Sequence, residues 1–436
     1  MRIMLIRLIA PEPLFLLGIK PRSLFQSLTL TYLAALTPPE FDVEISDGSI
    51  SEIPLDKKAD IIGISFMSDT YSRAYEIADN YKKLGIPVIL GGFHTSLFPD
   101  EALEHADTIV VGEAEGVWKN LLSDFQKGNL KRVYKSDTPS ELKNLPIPRY
   151  DLYNQADFFN LIPIFATRGC PYHCYFCCIR SVYGTTFRKR PIEDVVDQIQ
   201  FLKKEYGGKE SPLTIDFIDD NIWGDVKYAK ELFRSLTPLE IRWNSQASMN
   251  IDPELLELAA KSGCKTIFVG FESLNNRNLN YLNKKQNKPE LYGELITRMH
   301  QLNIAVGAFF MVGLPYDDRY CFDTLADFLE KNFVEAPIPL MFCPIPGTEQ
   351  FNKEDWKGKT ECKDYNSIIK AIPIFTPHNT AKKKFKQAYV NFARMIYSDE
   401  SIERRLRNCD NPGLYFMNKG NQEYYNAPEM DDWAEK

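Results

Sequence analysis

Two successive series of strand and helix patterns constrain what this chain can fold into. In the first, "RIMLIRLI", "FDVEIS", "ADIIGISF", "IPVILGG" and "DTIVVGE" are short apolar runs that read as strands. Between them, "SLFQSLTLTYLAAL", "TYSRAYEIADNYKKLG", "PDEALEHA" and "EGVWKNLLSDFQKG" carry helical spacing. Strands alternating with helices specify a parallel sheet, and five such units over residues 1–126 predict a doubly wound, Rossmann-like domain. Such a sheet holds ligands in the loops at the carboxyl ends of its strands. Residues 127–158 break the rhythm with "KSDTPSELKNLPIPRYDLYN", a polar, proline-punctuated stretch that reads as a linker.

The second series runs over 159–350. Its strands are "IPIFAT", "LTIDFID", "IRWNSQA", "KTIFVGFES", "IAVGAFFMVG" and "IPLMFCPIPG". Helical patterns separate them, centred on "IEDVVDQIQFLKKEY", "VKYAKELFRSL", "PELLELAAKSG", "PELYGELITRMHQLN" and "FDTLADFLEKN". Six strand–helix units predict a partial (β/α)6 barrel whose site lies at the carboxyl strand ends. Residues 351–436 read as mostly helical around "TAKKKFKQAYVNFARMIYSDESIERRLRN", with a tail rich in Asn, Tyr and Asp. By analogy with the lids of other barrels, this region is expected to close the active site.

A chain of 436 residues is too long for one ordinary core, which fits a multidomain reading. Its net charge of −7 argues against a nucleic-acid surface. No apolar run reaches the roughly 20 residues that span a bilayer. The start, "MRIMLIRLIAPEPLFLL", is broken by Arg7, Pro11, Glu12 and Pro13, so it reads as an opening strand rather than a signal peptide. The nine cysteines are odd in number and mostly scattered, unlike a secreted disulfide framework, and a cytoplasmic location is expected.

Three of those cysteines, Cys170, Cys174 and Cys177, lie in "TRGCPYHCYFCC" at the end of the first strand of the second series. Thiolates are soft ligands for iron–sulfur clusters or zinc. Structural zinc sites want four ligands, commonly as two separated pairs. Here His173 lies inside the loop and Cys178 adjoins Cys177, so neither is well placed as a fourth ligand. Three thiolates on a cubane would leave one iron open to a substrate or cofactor. Buried core cysteines are the plain alternative, and at this level cluster, zinc and core all stay open.

The C-x3-C-x2-C loop, with an aromatic residue before its third cysteine, resembles the signature of radical S-adenosylmethionine (SAM) enzymes. "FIDDNIWGD", "GFES", "FFMVGLPYDD" and "PIPGT" follow at later strand ends in the order of that superfamily. The first series, with "GGFHTSLFPDEALEHADTIVVGEAE", resembles the cobalamin-binding domain of the class that includes hopanoid methylases and the anaerobic magnesium-protoporphyrin cyclase. The resemblance covers roughly residues 1–350. It implies a 4Fe–4S cluster on Cys170, Cys174 and Cys177, with SAM on the open iron. One electron would then cleave SAM to methionine and a 5′-deoxyadenosyl radical.

The resemblance also implies residue roles. Asp219, Asp220 and Asn221 would meet the SAM amino group, or else cap the next helix. Gln246, near Trp243 on the third strand, would reach the methionine carboxylate, or else be a polar core residue. Glu272 and Ser273 would hold the ribose. Gly313 and Gly347 would let backbone approach adenine, or else simply make turns, and Phe176 would pack against adenine. Arg168 would pair with a carboxylate. In the first domain, Ser65, Ser68, Asp69, Thr70, Gly91, Gly92, His94, Gly112 and Glu113 would surround cobalamin, bound where the sheet faces the barrel mouth.

The cobalamin signature D-x-H-x-x-G is absent, and "LIAPEPLFLLG" after the first strand has no histidine. Cobalt would therefore carry no histidine ligand. The expected activity is methylation of an unactivated carbon of a small molecule or lipid, with methyl passing from SAM through cobalamin. The alternatives are a radical SAM cyclase or rearrangement enzyme whose first domain binds no cobalamin, and a metal-stabilised binding or electron-transfer module. The implied partner is an electron donor such as flavodoxin or ferredoxin.

Overall fold

The computed structural model describes residues 1–8, 26–155, 158, 161–207, 213–345, 347–353, 375–376 and 381–435. Most of "LIAPEPLFLLG" lies outside the described residues. The chain divides into two units, Met1–Phe165 with Ile179–Glu205, and Ala166–Cys178 with Tyr206–Lys436.

The first unit holds a parallel sheet of β1 (Arg2–Arg7), β2 (Asp42–Asp47), β3 (Ile61–Ser65), β4 (Val88–Gly91), β5 (Thr108–Val111) and β6 (Val133–Lys135). Their order is β2-β1-β3-β4-β5-β6. Ile3 and Leu5 pack on one side with α1 (Leu28–Leu36) and α5 (Trp118–Gln126). Met4 and Ile6 pack on the other with α2 (Tyr71–Lys83) and part of α4 (Pro99–His105). Burial on both faces is why β1 reads as an unbroken apolar run. The order reverses between β1 and β3, which sets the ligand crevice of such sheets at their carboxyl ends.

Several features were not anticipated, among them a short helix and a sixth strand. A short helix, α3 (Phe93–Leu97), follows Gly92, whose φ is +100°. A Cβ there would lie 2.5 Å from the Phe66 carbonyl oxygen. β6, inside the stretch read as a linker, pairs parallel with β5, and its buried Tyr134 donates to Asp124 Oδ2 at 2.8 Å. The unit also holds β7 (Leu161–Ile164), α6 (Ile179–Tyr183), β9 (Arg188–Lys189) and all but the last residue of α7 (Ile192–Tyr206).

The second unit begins with the two-residue β8 (Thr167–Arg168) and the cysteine loop. Its sheet contains β10 (Thr214–Phe217), β11 (Arg242–Ala247), β12 (Cys264–Glu272), β13 (Ala305–Val312) and β14 (Ala336–Met341), side by side in chain order and parallel. The connecting helices are α8 (Val226–Leu236), α9 (Pro253–Lys261), α10 (Asn276–Tyr281), α11 (Tyr292–Gln301) and α12 (Cys321–Lys331). Trp243 marks the helix-covered face: its ring stacks on Phe233 of α8 at 5.0 Å, and its indole N–H donates to the Ser262 carbonyl at 3.1 Å. Neighbours in register, Gln246 and Phe268, lie on the opposite face.

A short α13 (Glu349–Asn352) precedes the C-terminal helices α14 (Lys382–Ile396), α15 (Asp399–Leu406), α16 (Pro412–Asn426) and α17 (Pro428–Glu435). Leu406 and Leu414 pack with Phe268, Ala305 and Ala336. Ala305 and Ala336 open their strands, so α15 and α16 reach the amino end of the sheet rather than the expected mouth, whereas Phe385 of α14 lies against Gly313 after β13. Phe375 lies toward the other end, its carbonyl 3.5 Å from where a Gly313 Cβ would stand. Among the described residues, no helix is long and apolar enough to cross a membrane.

Candidate functional site

The cysteine loop is fastened from two sides. Three consecutive residues after β10 hold its entry. Asp219, fully buried, accepts from the backbone N–H of Ala166 at 3.0 Å and from those of Thr167 and its hydroxyl. Asp220 Oδ2 accepts from Gly169 N–H at 2.8 Å. Asn221 Nδ2 lies 3.7 Å from Cys170 Sγ, and its Oδ1 accepts from Ser248 N–H at 3.1 Å. Neither Asp219 nor Asn221 caps the following helix; Asp225 does, accepting from Tyr228 N–H. Burial pushes the Asp219 carboxyl up to about 7.

The far side is held by the segment after α10 and by α13. Tyr175 N–H donates to the Leu282 carbonyl at 3.0 Å, and Gln350 N–H to the Tyr175 carbonyl at 2.8 Å. Asn283 Nδ2 donates to the His173 carbonyl at 2.6 Å, and Gln286 Nε2 lies 3.8 Å from Cys174 Sγ. His173 also pairs with Glu349. The loop's non-cysteine residues thus fix its shape, and two amide side chains point at two of its sulfurs. Burial raises the Cys170 and Cys174 thiols, and pushes Cys178 up to about 11.

A buried ion pair lies beside the loop. Lys284 Nζ is 2.5 Å from Glu272 Oε1, and 5.8 Å above the Phe176 ring. Burial works against the Lys284 charge, but Glu272, Cys174 and Cys177 outweigh it and hold its pKa above the ordinary value. The pair needs Gly270: a Cβ there would lie 2.5 Å from Glu272 Oε1 and 2.6 Å from Lys284 Nζ. Glu272 itself ends β12 at φ +66°, where the register shifts.

The other residues expected around SAM fall into different settings. Ser273 is buried, and its Oγ accepts from Asn275 N–H at 3.1 Å. Gly313 (φ +78°) sits in a turn closed by Asp317, with Met341 and Phe385 against its Cα, so its backbone N–H serves the fold. Gly347 has φ +81° in the turn before α13. Phe176 packs with Leu282, Leu314 and Phe342. Gln246 is exposed on the open sheet face.

In the first unit, Ser65, Gly91 and Gly112 stand at neighbouring strand ends. Among the described residues, a Cβ on Gly91 would meet only Val110 Cβ, and one on Gly112 only the Val182 carbonyl, each at 3.9 Å. His94 is fully buried, with Nδ1 3.0 Å from Ser68 Oγ and its ring stacked on Tyr71. Burial lowers its pKa to about 4. Thr70 is buried ahead of α2, whereas Asp69 is exposed. Glu113 is locked to Arg188 by contacts of 2.6 and 2.8 Å, and accepts from Ser140 N–H at 2.7 Å.

The radical SAM superfamily model matches residues 164–329, and the B12-binding domain model matches residues 16–122. The chain is 32% identical to bacteriochlorophyllide d C-12(1)-methyltransferase of Chlorobaculum tepidum, over 90% of this chain and 87% of that one. This chain belongs to the cobalamin-dependent radical SAM family. The C-8(2)-methyltransferase of the same organism is 31% identical, over 78% of this chain and 79% of its own. The solved structure of the cobalamin-dependent radical SAM enzyme OxsB, with aqua-cobalamin and SAM bound, shares the fold. Its TM-score is 0.71 at 17% identity, covering 97% of this chain and 71% of that one.

Family membership brings a 4Fe–4S cluster, SAM and cobalamin, and the chemistry of the residues suits the cluster and the cobalamin. Among the described residues, no three His, Cys, Asp or Glu side chains gather closely enough to hold a single metal ion. A cubane asks for a different arrangement, one thiolate on each of three irons, with hydrogen bonds to the sulfurs tuning its potential. The amides of Asn221 and Gln286 supply that second feature. For cobalamin, Gly91 and Gly112, which meet little else among the described residues, let a broad ligand lie against backbone.

Sequence reasoning missed Lys284, Asn283, Gln286 and Arg188. The run "NKKQNK" signalled charge, but nothing in it separated the buried Lys284 from the exposed Lys285 and Lys288.

Proposed function

We propose that this radical SAM enzyme methylates an unactivated carbon of a small-molecule or lipid substrate with a large apolar body. The observation that carries the site assignment is the fastening of the cysteine loop, in which two amides reach Cys170 and Cys174 while Lys284 stands buried alongside. Cys170, Cys174 and Cys177 would each hold an iron. Lys284, rather than Gln246, would meet the SAM carboxylate, because a desolvated ammonium suits an anionic partner. Glu272 then orients that lysine instead of the ribose. Of the three residues after β10, the half-buried Asp220 would face the SAM amino group; Asp219 and Asn221 position the loop. Phe176 would form part of the adenine wall.

Bound there, the cluster supplies the electron that splits SAM to a 5′-deoxyadenosyl radical, and cobalamin supplies methyl transfer. Ser65, Ser68, Asp69, Gly91, Gly92 and Gly112 would border the cobalamin. Neither His94 nor His105 suits cobalt: the first is fully enclosed, and the second stacks on Tyr75 and contacts Asp79 at 3.0 Å. The apolar substrate body follows from the open sheet face, where Phe309 and Ile338 lie in register and Ile218 and Leu340 are 36% and 48% exposed. The two bacteriochlorophyllide methyltransferases make tetrapyrroles the first substrates to test.

The decisive experiment is anaerobic reconstitution with iron, sulfide and cobalamin, followed by incubation with SAM, reductant and a chlorophyllide panel. Expected products are 5′-deoxyadenosine, S-adenosylhomocysteine and a methylated pigment. A Cys174→Ala protein that kept full iron and still made deoxyadenosine would sink the site assignment.

A further inference from the structure

A ladder of aromatic rings and cations runs outward from the cysteine loop. Tyr175 follows Cys174 in the chain. The Lys353 ammonium stands 4.5 Å from the Tyr175 ring and 4.4 Å from the Tyr281 ring. Tyr281 meets Tyr316 edge-on at 6.4 Å, and the Arg277 guanidinium lies 4.1 Å above Tyr316. Arg319 covers Tyr320 at 4.7 Å. Pro171 and Tyr172 of the loop are exposed, as are Arg277, Lys285, Lys288 and Arg319. Lys285 flanks Gln286, whose amide reaches Cys174. Against these cations stand exposed Asp318 and Glu290 and the His173-paired Glu349. Among the described residues, the cations of this face outnumber its carboxylates, on a chain of net charge −7.

We infer that this face is the docking surface for an acidic one-electron carrier protein. The inference rests on the reading above, in which the cluster receives its electron from outside. The transfer moves one electron from the carrier's reduced centre to the cluster, and no bond forms or breaks. Complementary charge steers such encounters and fixes their register, chiefly through the association rate. Rings with cations over their faces keep positive charge at the surface while leaving apolar area for close contact.

The test uses reconstituted holoenzyme and two double variants, Arg277→Glu with Arg319→Glu, and Lys285→Glu with Lys288→Glu. Deoxyadenosine formation is measured with titanium(III) citrate and with reduced, acidic flavodoxin at low and high salt. Binding of oxidised flavodoxin is measured separately by calorimetry. With flavodoxin at low salt, each variant should show an apparent KM and a Kd raised about tenfold or more. Added salt should shrink the difference. With titanium citrate, all rates should stay within about twofold, and an Arg277→Lys, Arg319→Lys protein should bind flavodoxin like the wild type. Unchanged flavodoxin binding and KM in both variants would overturn the inference. So would equal losses with both reductants, which would assign these residues to the shape of the loop. If no protein cleaved SAM with titanium citrate, the enzymatic reading would fail instead, and the flavodoxin titrations would still decide the docking face.

Discussion

Asp219, Asp220 and Asn221 are a case where residue type was legible and role was not. Three polar residues at a strand end admit ligand contact, helix capping or backbone support, and only the tertiary placement of Ala166, Gly169 and Cys170 chooses among them. Replacing Asp219 by Ala would orphan buried donors on Ala166 and Thr167, each costing about 1–3 kcal/mol. Asp219→Ala should therefore destabilise the apo-protein by roughly 3 kcal/mol in urea unfolding and lower iron retention. Asp225→Ala, which removes only a cap, should cost about 1 kcal/mol and leave iron content unchanged. Equal effects of the two would contradict the support role. The pH dependence has a definite sign. Burial holds the folded carboxyl up at about 7, well above the ordinary carboxylate value of about 4. Between those values the folded state holds a proton that the unfolded chain has released, so this group's contribution to stability falls as pH rises. The gap between wild type and Asp219→Ala should accordingly be wider at pH 5 than at pH 8.

At the scale of elements, β14 shows how the second sheet stops. An edge strand exposes backbone groups that invite further pairing. Pro337 and Pro339 have no N–H to offer, and their carbonyls accept from Tyr397 at 2.7 Å and Tyr389 at 2.9 Å. Tyr389 also shares a 2.8 Å hydroxyl contact with Tyr425, and buried Arg405 donates to the Val334 carbonyl just before the strand. The alternate prolines were a legible edge signal, and the strand itself was recognised. Tyr389 and Tyr397 were legible only as members of a helical run and Tyr425 only as part of a Tyr-rich tail, since their partners lie in a distant part of the chain. Changing both Tyr389 and Tyr397 to Phe would leave two buried carbonyls without their donors. The expected loss is roughly 2–3 kcal/mol with an unchanged urea m-value. A loss under about 0.5 kcal/mol would mean that water or backbone shifts replace both bonds.

At the scale of the whole molecule, the strand and helix periodicities gave both sheets, while the assignment of segments to units depended on contacts no periodicity encodes. The stretch 127–158 reads as a linker because it is polar and rich in proline. Within it, however, Tyr150 is buried and donates to the Pro163 carbonyl at 2.8 Å. Gln198 of α7 donates to the Tyr150 hydroxyl at 3.0 Å and accepts from Arg190 at 2.7 Å. Arg190 in turn donates to the Phe165 carbonyl at 2.9 Å. This buried chain of bonds explains why Ile179–Glu205 belongs with the first unit, although it follows the cysteines. Cutting at 159 to free a barrel, as the sequence boundaries suggest, would remove Tyr150, leaving the Gln198 amide without its acceptor and the Pro163 carbonyl without its donor. Buried polar groups left in that state are costly. A 159–436 fragment should therefore lack a cooperative thermal transition by circular dichroism, whereas the full chain should show one. A sharp fragment melt within a few degrees of the full chain's would show that the Tyr150 network is dispensable. Adding residues 127–158 back should restore cooperativity only in part, because the sheet of β1–β6 would still lack all but its last strand.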